Sequence, residues 1–160
     1  MTKTAKKIVL IEDSETDSFL IKRVIREHPC DQSYSIVSLQ CMGDARAYLT
    51  QNNHDDIEVI LLDLNLPDTI DGLDTYEQIR AMVPETPVVA LTSSDNRELA
   101  MNLLNKGIED FVCKTHILDN PDLLCRAIDF AICRHSQSQA AISKLSGELL
   151  SRTQLLSEMM

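Results

Sequence analysis

The chain has 160 residues, 44% of them hydrophobic and 25% charged, with a formal net charge of −10. That length suits one domain of ordinary size plus an appendage, and the apolar fraction excludes global disorder. The acidic balance excludes a direct nucleic-acid binder, which needs clustered Lys and Arg. No run approaches the roughly 18 apolar residues of a membrane span, and the run Ile8 to Ile11 is too short for a signal peptide. A cytoplasmic protein is expected, with no membrane contact. Lys3, Lys6 and Lys7 are read as a solvated N-terminal end. The five cysteines are odd in number and contain no CxxC pair, so reduced, buried thiols are expected rather than a disulfide framework or zinc site.

Short apolar runs alternate with helical patterns along the chain. Ile8 to Ile11 is continuously aliphatic, as in a strand buried on both faces. Ser14 caps the next helix, with Asp17 three residues on, and Phe19, Leu20, Val24 and Ile25 recur at helical spacing until Pro29. Tyr34 to Leu39 reads as a second strand, and Asp44 as the cap of a short helix through Leu49. Ile57 to Leu62 is the third strand, followed by a loop from Pro67 to Gly72. Tyr76, Ile79 and Met82 mark a helix closed before Pro84. Val88 to Leu91 is the fourth strand. Ser94 or Asp95 caps a helix with the apolar face Leu99, Leu103 and Leu104, and Gly107 falls at its left-handed C-cap. Asp110 to Cys113 is the fifth strand, and Asn120-Pro121 opens the last helix.

Five strand–helix units imply an α/β fold. A flavodoxin-like (βα)5 doubly wound parallel sheet of order 2-1-3-4-5 is expected, with an extended C-terminal helix. A closed barrel needs eight such units. Ligands in open sheets of this kind bind outside the carboxyl ends of the strands, at the switch point. The groups there are Glu12 and Asp13 after the first strand, Asp63 after the third, Thr92 after the fourth and Lys114 after the fifth. Three converging carboxylates repel one another unless a hard divalent cation joins them, and Mg²⁺ suits such oxygen ligands. Asp13 and Asp63 would ligate directly, Glu12 through water, and the Asn65 backbone carbonyl would add a further ligand. Lys114 and Thr92 would hold phosphoryl oxygens, which makes Asp63 the candidate nucleophile and phosphate acceptor. Singly, Asp13 and Thr92 read equally well as helix caps; the conjunction of groups favours a site.

The pair Glu12-Asp13, the stretch Leu62-Asp63-Leu64-Asn65-Leu66-Pro67, Thr92 with Ser93, and Lys114 together resemble the receiver domain of two-component response regulators, the CheY-like family. The resemblance covers about residues 6 to 134. It implies Mg²⁺ binding, phosphoryl transfer to Asp63 from a histidine kinase or phosphotransfer protein, and self-catalysed dephosphorylation without further enzymatic activity. It also implies a switch in which Thr92 and Phe111 report phosphorylation, although Phe111 reads equally well as an ordinary core aromatic. Two departures stand out. Thr115 follows Lys114 where the family usually has proline, often after a cis bond. The loop containing Asp68-Thr69-Ile70-Asp71 is one residue longer than the common pattern and adds two acids at the mouth of the site.

Residues 1–134 are therefore expected to form the receiver domain and residues 135–160 a helical extension. Ile142, Leu145, Leu149, Leu156 and Met159 fall on alternating three- and four-residue steps, with Ser138 and Arg152 interrupting; extended backward, the frame takes in Ile128 and Ala131. A parallel coiled coil forming a homodimer is favoured over a helix folding back on its own domain, and a longer protein with a further output segment is envisaged. A phosphatase of the haloacid-dehalogenase type is the main alternative. It places a second acid two residues after its nucleophile, where this chain has Asn65.

Overall fold

The structure is a computed structural model. It describes residues 6–27, 34–51, 54–93 and 96–158, with part of the side chains of the last helix described up to residue 147. Five strands, β1 (Lys7–Ile11), β2 (Ser35–Leu39), β3 (Ile57–Asp63), β4 (Val88–Thr92) and β5 (Asp110–Cys113), form one parallel sheet in the order β2-β1-β3-β4-β5. The helices are α1 (Glu15–Glu27), α2 (Met42–Gln51), α3 (Gly72–Met82), α4 (Arg97–Asn105), α5 (Lys114–Asp119) and α6 (Asp122–Glu158). The fold is the flavodoxin-like one expected.

The continuous aliphatic runs are explained by two cores, one on each sheet face. Successive strand side chains point to opposite faces. Ile8, Leu10, Val59, Leu61, Val89 and Leu91 pack with α1, α5 and α6, including Ile21, Ile117, Leu124 and Ile128. Val9, Ile11, Ile60, Leu62, Val88 and Ala90 pack on the other side with α2, α3 and α4, including Leu49, Tyr76, Ile79 and Leu103. Full burial of each such aliphatic side chain contributes about 1.5–3 kcal/mol. With both faces covered, only the strand ends are left for polar function. Parallel pairing puts all five carboxyl ends on one edge.

Several local expectations change. Phe19 is 65% exposed, and Ile21 takes the buried position in α1. Asp44 lies in the first turn of α2 rather than at its cap, because the helix already starts at Met42. The acceptor for its first N–H groups comes from a distant loop: Asp68 accepts from Met42 and Gly43, both at 2.9 Å. Asn96 caps α4 by accepting from the Leu99 N–H; Ser94 and Asp95 lie outside the described residues, as do Pro29 and Lys3. Leu104 is 46% exposed rather than part of the buried face of α4. Gly107 has φ 98°, the left-handed conformation expected after a helix end. The short α5 was not foreseen. Asn120 ends it, and α6 begins at Asp122, so Asn120-Pro121 opens the last helix as expected, to within one residue, and also separates it from α5.

The basic residues at the chain start are not merely solvated. Lys7 pairs with Asp56 at 2.9 Å and Lys6 with Glu58 at 3.4 Å, fastening β1 beside β3. Cys41, Cys113, Cys125 and Cys133 are free thiols, of which Cys113 and Cys125 are buried; Cys30 lies outside the described residues.

α6 has two unlike parts. Leu124, Cys125, Ala127, Ile128 and Ala131 are buried in the domain core, whereas Ile142 and Leu145 are 54% and 59% exposed. Ile128 and Ala131 are thus not available to a partner helix, and the backward extension of the heptad frame is corrected. Packing against β3, β4 and β5 consumes that part of the stripe. Ser138, Leu149, Arg152, Leu156 and Met159 fall outside the described side chains.

Candidate functional site

The site is assembled by strand register. Ile11 lies opposite Leu62, Asp63 opposite Leu91, and Thr92 opposite Cys113. Glu12, Asp63, Thr92 and Lys114 therefore end neighbouring strands. One carboxylate oxygen from each of Glu12, Asp13 and Asp63 can lie within 4.8 Å of the others. Glu12 and Asp63 are each 1% exposed, while Asp13 is exposed.

Few protein donors satisfy the two buried carboxylates. Asp63 Oδ1 accepts the Asn65 N–H at 3.0 Å, and Glu12 Oε1 accepts the Ser14 N–H at 3.2 Å. Lys114 Nζ donates to Glu12 Oε2 at 2.9 Å and lies 3.6 Å from Asp63 Oδ2. Burial pushes the Glu12 carboxyl up to about 7; the neighbouring Asp63 adds to the shift and Lys114 opposes it. Burial also raises Asp63, against the pull of Glu12, the Asn65 N–H and Lys114. Two carboxyls buried against each other resist being ionised together. Burial alone would lower the Lys114 ammonium, but Glu12, Asp63 and Asp17 outweigh it and hold it raised and charged.

This donor set fits a hard divalent cation. Two acids that resist ionising together, joined by an exposed third, form an all-oxygen cluster open on one side, and Mg²⁺ typically takes one or two carboxylates and keeps several waters. Thr92 is 6% exposed at the end of β4. Phe111 is partly buried and packs against the core face shared with Tyr76 and Leu103. Every residue expected at the site is thus on the carboxyl edge or, for Phe111, on the strand beside it.

Three features are decided by the structure rather than by the sequence. Asp17 reaches Lys114 at 3.0 Å and is a fourth acid beside the cluster. The Lys114–Thr115 bond is not cis. Finally, the two loop acids are not turned to the site mouth: Asp68 holds the start of α2, and Asp71 caps α3 through the Asp74 N–H at 2.8 Å. Of that loop, Ile70 is left 89% exposed.

Residues 8–128 match the family model described as the response regulator receiver domain. Among curated proteins, Response regulator Rcp1 of Synechocystis sp. is 35% identical over 99 residues, 58% of this chain and 65% of that protein. Two-component response regulator ORR1 of Oryza sativa is 22% identical over 113 residues, and the chain spans 48% of its length. Among solved structures, the signal receiver domain of a putative Luxo repressor protein from Vibrio parahaemolyticus is 28% identical with a TM-score of 0.69, covering 86% of this chain and 98% of that one. The Mn(2+)-bound form of Rcp1 is 29% identical with a TM-score of 0.57, over 68% of this chain and 80% of that one. None of these supports the haloacid-dehalogenase alternative. A (βα)5 sheet, an acidic cluster at its switch point and a family match over most of the length agree: the chain belongs to the response regulator receiver domains of two-component systems.

Proposed function

We propose that the chain is a phosphorelay switch that accepts a phosphoryl group on Asp63 from a histidine kinase or phosphotransfer protein. The observation that carries this reading is the buried pair Glu12 and Asp63 within reach of Asp13 on one side and Lys114 on the other. An Asp63 carboxylate oxygen forms the bond to phosphorus, the P–N bond of a phosphohistidine donor breaks, and its electron pair leaves with the imidazole. Mg²⁺ held by Asp13, Asp63, the Asn65 carbonyl and, through water, Glu12 would neutralise the acids and the charge on the phosphoryl oxygens. The Mn²⁺ form of the similar Rcp1 supports a divalent cation here. Lys114 and Thr92 bind phosphoryl oxygens. As Thr92 turns toward them, it vacates space into which Phe111 moves, giving two packings biased by one charge change. Attack of water on phosphorus returns Asp63 and inorganic phosphate.

Labelling tests the reading. Acetyl phosphate with Mg²⁺ labels the chain once, and Asp63→Asn removes the label; undiminished labelling of the variant refutes the acceptor assignment.

The segment 135–160, which takes in the outer part of α6, is proposed as a homodimerising coiled coil appended to the domain of residues 1–134. Ile142 and Leu145 continue the stripe of Ile128 and Ala131 beyond the domain, where no intramolecular core covers them. Light scattering is expected to give a dimer for the full chain and a monomer without residues 136–160. An unchanged assembly state sinks this reading.

A further inference from the structure

The Lys114 ammonium is held from two directions. Glu12 Oε2 lies at 2.9 Å and Asp17 Oδ2 at 3.0 Å, while Asp63 Oδ2 stands off at 3.6 Å. An ammonium has three N–H donors. Two are committed, and the nearest remaining carboxylate of the cluster is that of Asp63. Lys114 opens α5 just after the last paired residues of the sheet, Thr92 and Cys113, so strand register alone does not fix its long side chain.

The availability of Asp17 for this contact has a local cause. Ser14 Oγ accepts the Asp17 N–H at 3.2 Å, one half of a capping box at the start of α1. In the reciprocal half, the carboxylate three residues on would take the Ser14 N–H. Here Glu12 Oε1 takes that N–H at 3.2 Å. Asp17 is thereby released from its helix end and turns to Lys114, 97 residues away in sequence. The pair lines a crevice between α1 and α5 with Leu20, Ile21, Ile117 and Leu118.

We propose that Asp17 is a positioning residue for phosphoryl transfer: with Glu12 it fixes two N–H groups of Lys114 and leaves the third for the phosphoryl oxygens at Asp63. Without Asp17 the ammonium keeps one hydrogen bond, to Glu12, with Asp63 at 3.6 Å, and regains much of the rotational freedom of a lysine side chain. The metal ligands are not touched. This inference rests on the reading of Asp63 as acceptor. In the step it serves, the bond from phosphorus to the donor oxygen of acetyl phosphate breaks, acetate leaves with the electron pair, and the Asp63 oxygen–phosphorus bond forms.

The test compares wild type, Asp17→Asn, Asp17→Ala and Asp17→Glu with acetyl phosphate as donor. At saturating Mg²⁺, Asp17→Ala is expected to label about tenfold more slowly, less than the roughly hundredfold that a 1 Å misplacement can cost, because Glu12 still holds the ammonium. Asp17→Asn, which keeps an acceptor oxygen without the charge, should fall between, and Asp17→Glu should recover most of the rate. Mg²⁺ affinity should stay within about twofold in all three, a split that simple loss of helix stability would not produce. Equal or faster labelling by folded Asp17→Ala overturns the proposal. Solvent exchange of the Lys114 ammonium protons, followed by NMR in the metal-free protein, gives a readout independent of labelling. Asp17→Ala should speed it several-fold, and unchanged exchange refutes the positioning role. Absence of label on wild-type Asp63 would instead refute the acceptor reading, leaving the exchange measurement to judge Asp17.

Discussion

Two groups of acids lie along the same edge of this molecule, and they have been given opposite surroundings. Asp68 and Asp71, in the loop between β3 and α3, are exposed and satisfied by backbone N–H groups at helix starts. Those bonds hold the Asp68 carboxyl below its ordinary value. Glu12 and Asp63 are buried against each other and pushed upward. The first pair stabilises the fold in the charged form. The second opposes it until a cation or a proton intervenes. An acid's sequence neighbours do not decide between these roles; the donors that reach it do.

Substitutions at the two places should therefore change stability with opposite sign. The larger effect is expected at the cluster. The Glu12 carboxyl titrates at about 7 in the folded chain against 4.5 when free, so the folded state holds the extra proton between those values. Its contribution to stability is fully present below pH 4.5 and is lost as pH rises through about 7. In metal-free protein at pH 8, Glu12→Gln should raise the unfolding free energy by about 1–3 kcal/mol in urea titrations and flatten its decline between pH 5 and pH 8. A loss of stability in that variant would mean that the pairing with Lys114 outweighs burial, and the contrast would fail.

The smaller effect is expected at the loop. Asp68→Ala removes the acceptor for two N–H groups at the start of α2 and should cost about 1 kcal/mol, a fall in Tm of about 2–4 °C. The sign with pH is reversed. Asp68 has a lowered carboxyl, so its contribution is fully present above the ordinary value of 3.8 and is lost as pH falls through the lowered folded value. Thermal melts at pH 7 and pH 3 check this: the difference between variant and wild type should be smaller at the lower pH. If it persists undiminished, the loop acts through packing rather than through its charge.

Much of this was legible in the sequence because one physical rule governed it. The runs Ile8 to Ile11, Ile57 to Leu62 and Val88 to Leu91 are aliphatic at every position, which only a two-faced parallel sheet explains. Given such a sheet, the residues ending those runs have to meet. Glu12, Asp63, Thr92 and Lys114 could thus be brought together without coordinates. What stayed hidden was set by hydrogen bonds between distant segments. Asp68 lies 26 residues from Met42, and no local pattern announces that one caps the other. Asp17 looked like the second half of a capping box, and the pattern was present; a competitor outside it, Glu12, took the bond. Phe19 fits a helical period yet faces outward, because period gives a stripe and not its edges. Sequence distance from Asp63 alone puts Asp68 and Asp71 near the site mouth; their bonds to Met42, Gly43 and Asp74 turn them to helix starts instead.

The helix α6 is unbroken from Asp122 to Glu158, and among its described side chains those seated on the sheet lie in its first part. Residues 136 to 158 extend the rod by about 35 Å at 1.5 Å per residue. A rotation of about 5° where Leu124, Ile128 and Ala131 seat on the core displaces the far end by about 3 Å, nearly the width of an atom. Any repacking beneath β5 that tilted these three side chains would therefore be magnified along the rod, with the domain core as its fulcrum.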